Sequence, residues 1–188
     1  MNISRRKASA PRRIALLGAA SVMALAGCQE EQAEVVVFDD PAACTASGVD
    51  PRTCEEQFAE ARAEHAETAP RYDALAVCEE EHGADACIED EQRPSVFMPL
   101  MAGFLMGQLL SGRGFASRAM VPTAGSGFAT TDGSTRAGRL SGKGTVAASA
   151  LSARAPSTRN AAPMTRSSVA RSGGFGASRT SGGFGSGG

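Results

Sequence analysis

Residues Val96–Leu110 read V-F-M-P-L-M-A-G-F-L-M-G-Q-L-L. This is the longest apolar run beyond the N-terminal region, and the charge changes sign across it. Residues 29–93 carry 19 acidic and 4 basic side chains, whereas residues 94–188 carry one acid, Asp132, against ten Lys and Arg. At fifteen residues the run falls short of the roughly twenty apolar residues that a transmembrane helix needs. Pro99 suits the first turn of a helix beginning near Phe97 or Met98. Gly103-Phe104-Leu105-Met106-Gly107 is a G-x-x-x-G, a spacing that permits close helix–helix approach. Residues 94–112 are therefore expected to form one apolar, Met- and Gly-rich helix. Three placements are open to it: closing the core of the preceding segment, lying on a membrane surface, or docking on a partner or second copy. The side chains expected at a membrane or partner contact are Phe97, Met98, Leu100, Met101, Gly103, Phe104, Met106 and Gly107.

Working toward the N-terminus, Met1–Arg13 holds five Lys and Arg and no acid, and Ile14–Ala26 is small and apolar throughout. A basic stretch before a short apolar one reads as an export signal, too short for a stable membrane span. Leu25-Ala26-Gly27-Cys28 matches a bacterial lipobox, which makes residues 1–27 a lipoprotein signal peptide and Cys28 the acylated residue. Several acyl chains on one cysteine make a durable anchor, each buried CH₂ contributing roughly 0.8 kcal/mol. Residues 28–34 then form a short acylated tether. Gln29, rather than an aspartate, follows the anchor and directs the expectation to the periplasmic face of the outer membrane of a Gram-negative bacterium.

With Cys28 acylated, four cysteines remain: Cys44, Cys54, Cys78 and Cys87. An oxidising compartment favours disulfides over free thiols. Four cysteines allow three connectivities; local pairing, Cys44–Cys54 with Cys78–Cys87, closes the shortest loops, and pairing across a helical hairpin competes with it. Residues 35–93 are expected to be an acidic helical module stapled by these bonds. Val35–Phe38 reads as a short strand or strap. Asp40-Pro41 and Asp50-Pro51 each read as an N-cap followed by the first helical residue. The second helix runs to about Thr68, stopped by Ala69-Pro70, with Cys54, Phe58, Ala61 and His65 along one face. A third runs from about Asp73 to His82 and stops at Gly83. Cys78, His82, Cys87 and His65 match no standard zinc spacing, so no metal site is assigned. The runs Glu79-Glu80-Glu81 and Glu55-Glu56 read as solvated helix faces.

These residues carry a resemblance. The lipobox ending at Cys28, the ordered Cys44…Cys54…Ala69-Pro70-Arg71-Tyr72…Cys78…His82-Gly83…Cys87, and the block Phe97-Met98-Pro99-Leu100-Met101-Ala102-Gly103 resemble the YgiB family of bacterial lipoproteins. Val96-Phe97 stands where that family often has Phe-Trp, and His82-Gly83 where Phe-Gly is common. The resemblance implies a lipoprotein whose domain has no known function, and it transfers no catalytic residue.

From Arg113 onward the chain is Gly, Ser, Ala, Thr and Arg with scattered Phe, and 15 of its 22 glycines fall there. Such composition buries too little apolar surface to offset the entropy of ordering, so residues 113–188 are expected to be a disordered basic tail. Its outlets in an envelope are an envelope protein, an anionic polymer or lipid, or an acidic module; export argues against nucleic acid. No catalytic fingerprint is present. Gly125-Ser126-Gly127 is not a G-x-S-x-G, Gly142-Lys143-Gly144-Thr145 is not a phosphate loop, and Gly174-Phe175-Gly176 lacks the third glycine of a dinucleotide motif. No cofactor is implied. The expectation is a mostly disordered chain with a small α-helical, disulfide-stapled module, a short N-terminal strand and one apolar helix after it. It serves as a non-enzymatic structural or interaction lipoprotein. The alternative is a module that binds a small ligand or a cation, a polyamine or a metal ion, on its acidic helix faces.

Overall fold

The computed structural model describes residues 30–108, 114–125 and 127–175; the signal segment and Cys28 lie outside them. The helices begin where the local signals put them. Asp40 accepts a hydrogen bond from the Ala43 amide at 2.7 Å and opens α1 (Pro41–Ala46), and Asp50 does the same for α2 (Pro51–Thr68) from Thr53 at 3.2 Å. Each carboxylate satisfies an amide that the helix itself cannot, and a proline in the first turn sacrifices no hydrogen bond. The third helix, α3 (Leu75–His82), ends at Gly83, whose φ of +105° a side chain would resist. Disulfides join Cys44 to Cys54, tying α1 to α2, and Cys78 to Cys87, tying α3 to β2 (Cys87–Glu89). The local pairing is the one adopted.

The expectation of a mostly disordered, helical chain is overturned by a curled six-stranded antiparallel sheet. Its strands are β1 (Gln32–Phe38), β4 (Gly103–Gln108), β5 (Phe115–Pro122), β6 (Phe128–Thr130), β7 (Arg136–Ala137) and β8 (Lys143–Ala147), in the order β7-β6-β5-β4-β1-β8. A separate two-stranded sheet pairs β2 with β3 (Phe97–Pro99). The single apolar helix expected over 94–112 is thus replaced by strands β3 and β4 as far as Gln108; residues 109–112 lie outside the described residues. Fifteen apolar residues suit a buried helix or buried strands equally well by periodicity. What decides is cover on both faces. Along β1, Ala33, Val35 and Val37 pack with Leu105, Met120, Val146 and Leu151, the last from α4 (Ala148–Ser152). On the other face, Phe38, Phe104, Met106 and Ala119 pack beneath Cys44, Cys54 and Ala61 of the helices. A strand enclosed on both sides reads as a continuous apolar run, and Gly103 through Gly107 are all buried.

The two glycines of the G-x-x-x-G serve strands instead of helices. At Gly103 a Cβ would run into the carbonyl oxygen of Phe38 on β1. At Gly107 it would lie 2.6 Å from Leu151 Cδ1 and 2.8 Å from Val35 Cγ1. The motif marks close approach, but between β1, β4 and α4.

The tail expected to be disordered supplies β5 to β8, α4 and α5 (Arg166–Ser172). Its small residues are buried rather than solvated: Ala119, Ala129, Thr130, Thr131 and Thr135 are each at most 3% exposed. Backbone pairing with β1 and β4 satisfies the strand amides, and those two strands bring the bulky side chains that the tail lacks. Composition alone could not foresee a core furnished by another part of the chain. The sheet draws strands from the 35–93, 94–112 and 113–188 segments alike. Among the described residues no helix is long and apolar enough to cross a membrane.

Candidate functional site

Strand β5 pairs with β6 only from Met120 onward, so the first part of its outer edge is open to α2. Glu64 of α2 fills that edge. One carboxylate oxygen accepts the Ala119 amide at 2.8 Å and the other accepts Arg118 Nε at 2.5 Å. Arg118 also donates to the Ala150 carbonyl at 2.5 Å and faces the Asp132 carboxylate at 3.4 Å. Burial alone would raise the Asp132 pKa. Hydrogen bonds from Thr130 and Ser134, with the Arg118 charge, outweigh burial and hold it below the usual carboxylate value.

A second buried ion pair lies at the end of α2. Arg71, 4% exposed, donates Nε to Asp90 at 2.6 Å, Nη1 to Ala69 O and Thr158 Oγ1, and Nη2 to Ala66 O. Burial again acts to raise Asp90, and the Arg71 hydrogen bond and charge bring its pKa below normal. Next to Arg71, the Tyr72 hydroxyl meets His82 Nε2 at 2.8 Å, while His82 Nδ1 lies 2.7 Å from the Pro122 carbonyl. A carbonyl only accepts, so the proton sits on Nδ1 and Nε2 accepts from tyrosine. Burial, opposed by the Pro122 bond and reinforced by His65, lowers the His82 pKa to about 4. Burial raises that of Tyr72. Both groups are neutral and fully partnered near pH 7, which gives them no proton to exchange with a substrate.

The basic C-terminal segment closes over this region. Arg154 pairs with Glu60, Arg159 with Glu67 and Arg166 with Glu80. Backbone bonds run from Thr158 N to Glu67 O, from Met164 N to Arg71 O and from Asp73 N to Met164 O. Phe175 lays its ring on His82, centroids 4.6 Å apart, and its amide donates to Glu81. Of the surfaces open to the basic tail, its own acidic helices are the ones it meets here.

Between the end of α2, the β6–β7 turn and residues 155–175 lies a cleft of about 400 Å³. Thr68, Arg71, Thr131, Thr158 and Phe175 line it, with Pro70, Pro156 and several alanines between. A wider depression of about 590 Å³ beside β1 and β4 lacks such a buried polar floor. The first is the candidate site.

The residues expected at a membrane or partner contact lie elsewhere. Phe104, Met106, Gly103, Gly107 and Met98 are buried, and Phe97 and Met101 are half-buried; Leu100 stays exposed, as does Ile88. Cys44, Cys54, Cys78 and Cys87 are in disulfides, and Cys28 is outside the described residues. Sequence reasoning passed over Arg71, Arg118 and Asp132. A signal was present: Asp132 is the one acid in residues 94–188, and Arg71 one of four bases in residues 29–93. A charge that defies its neighbourhood is a candidate for a buried pair.

The family model described as "Protein of unknown function (DUF1190)" matches residues 32–186. A UPF0441 protein of Erwinia tasmaniensis is 30% identical over 184 residues, covering 86% of this chain and 78% of that protein. A UPF0441 protein of Serratia proteamaculans is 29% identical over 115 residues, covering 54% of this chain and 52% of that protein. No solved structure matches.

Proposed function

We propose a role for a chain that belongs to the DUF1190 family of proteins of unknown function: a lipid-anchored, periplasm-facing envelope protein that binds through its cleft and performs no chemistry there. The observation that carries the binding reading is the saturation of the His82–Tyr72 pair. A general base needs a free lone pair within reach of a substrate proton, and both nitrogens of His82 are already engaged. The buried carboxylates Asp90 and Glu64 are likewise committed to Arg71 and Arg118. The anchor is supported by Leu25-Ala26-Gly27-Cys28 after a basic and apolar leader, and by two disulfides that suit an oxidising compartment.

Labelling cells with radioactive palmitate and separating their membranes by density tests this role. Label on the wild-type chain, loss of label in Cys28→Ala, and recovery with the outer membrane are the expected results. An unlabelled soluble chain would remove the anchor. The alternative, cation binding on acidic helix faces, is less well supported, because Glu60, Glu67 and Glu80 already hold Arg154, Arg159 and Arg166.

A further inference from the structure

We propose that the cleft takes a neutral, polyhydroxylated ligand of saccharide type, seated between the Phe175 ring and the hydroxyls of Thr131, Ser157 and Thr158. The inference rests on the binding role above and specifies what is bound. Its basis is where the hydroxyl protons go. Thr68 gives its proton to Glu64 O at 2.8 Å, so the 2.6 Å contact with Thr131 is made by the Thr131 proton. Thr158 donates to Ala69 O at 2.6 Å and receives Arg71 Nη1; Ser157 donates to Glu67 at 3.0 Å. With their protons spent inside the protein, these oxygens can only accept; a hydroxyl oxygen carries two lone pairs, and Thr158 has given one to Arg71 and Ser157 one to the Arg159 amide, which leaves each a second. The matching ligand brings O–H donors.

Charge excludes the other classes. Two charged side chains line the cleft, Arg71 and Asp132, and each is matched within the protein, Arg71 by Asp90 at 2.6 Å and Asp132 by Arg118 at 3.4 Å with hydrogen bonds from Thr130 and Ser134. Neither an anion nor a cation meets an unmatched charge there. Beside these polar groups the wall carries an apolar patch: Phe175, Pro70, Pro156 and Ala162. A sugar ring presents the same two surfaces, a C–H face that gains by leaving water and an edge of alcohols. The cleft volume of about 400 Å³ lies within the range of small-molecule sites.

The test is isothermal titration calorimetry on the purified full chain in detergent, with glucose, N-acetylglucosamine, maltose, spermidine and inorganic phosphate as separate probes. Saturable binding of at least one sugar is expected, with none for spermidine or phosphate. Ala162→Trp, at an exposed position on the rim, should weaken it by about tenfold or more. Thr131→Val, which keeps the shape and removes the hydroxyl, should weaken it similarly. Unchanged sugar affinity in a folded Ala162→Trp chain would overturn the site. No sugar binding, or saturable binding of spermidine or phosphate instead, would overturn the ligand class. Acylation is read separately on the same preparation: sugar binding without acyl chains removes the anchor and keeps the ligand, and the reverse result removes the ligand and keeps the anchor.

Discussion

The Tyr72 hydroxyl lies 2.8 Å from His82 Nε2, deep enough that Tyr72 is fully buried and His82 is 1% exposed. The pair joins the end of α2 to α3, and Pro122 of β5 holds the far side of the imidazole. Helices and sheet therefore meet at a ring that must stay neutral.

Acid should loosen this junction. The His82 pKa is lowered to about 4 in the folded chain against 6.5 unfolded, so between those values the unfolded state binds the extra proton. Stability is then complete above about pH 6.5 and falls as pH drops toward 4, by an amount on the order of 3 kcal/mol. His65, also lowered by burial, adds to the same slope. Urea midpoints measured across this range should fall with pH, and His82→Gln should flatten the dependence. A midpoint constant from pH 7 to pH 4 would contradict the assignment.

Breaking a buried ion pair should cost far more than breaking one in the C-terminal segment. Arg71 and Asp90 are 4% and 7% exposed at their side chains, whereas Arg154 is 78% exposed. Asp90→Ala leaves an unpaired buried guanidinium and should destabilise by about 3–5 kcal/mol. Arg154→Ala should cost about 1 kcal/mol or less, and less still at high salt. Chemical denaturation of the two variants makes the comparison.

Gly107→Ala should destabilise by about 1–3 kcal/mol, because the new methyl meets Leu151 and Val35. Adding Leu151→Ala removes one of those neighbours, so the double variant should lose less than the two singles together. Strict additivity in denaturant midpoints would show that β4 and α4 are not packed as described.

Each disulfide closes a short loop, Cys44–Cys54 with a separation of 10 and Cys78–Cys87 with 9. Chain-entropy reasoning assigns each about 2–3 kcal/mol. A paired Cys78→Ala, Cys87→Ala variant should melt several degrees lower, and reductant should lower the wild-type melting temperature further, since it removes both bonds. Peptide mapping without reduction should recover the two local pairs.

How much of this was legible follows the range of the forces. The caps at Asp40 and Asp50, the starts at Pro41 and Pro51, and the stops at Pro70 and Gly83 act within one helical turn, and they read directly. The cysteines were legible as a staple set, though not in their pairing. The cleft was illegible, because Thr68 and Thr131 are 63 residues apart and Arg71 and Thr158 are 87 apart.

By itself, then, the sequence determined the helix ends, the family and the charge division between an acidic and a basic half. Tertiary structure alone decided that Phe97–Pro99 and Gly103–Gln108 form strands, that the described residues of the basic segment fold, and that the two halves meet in ion pairs. The reason is physical. A cap is settled by a hydrogen bond three residues away, but a strand exists only when another strand supplies its hydrogen bonds. For β4 those partners are β1, 72 residues earlier by the pairing of Val35 with Gly107, and β5. Neither is visible from the fifteen apolar residues themselves.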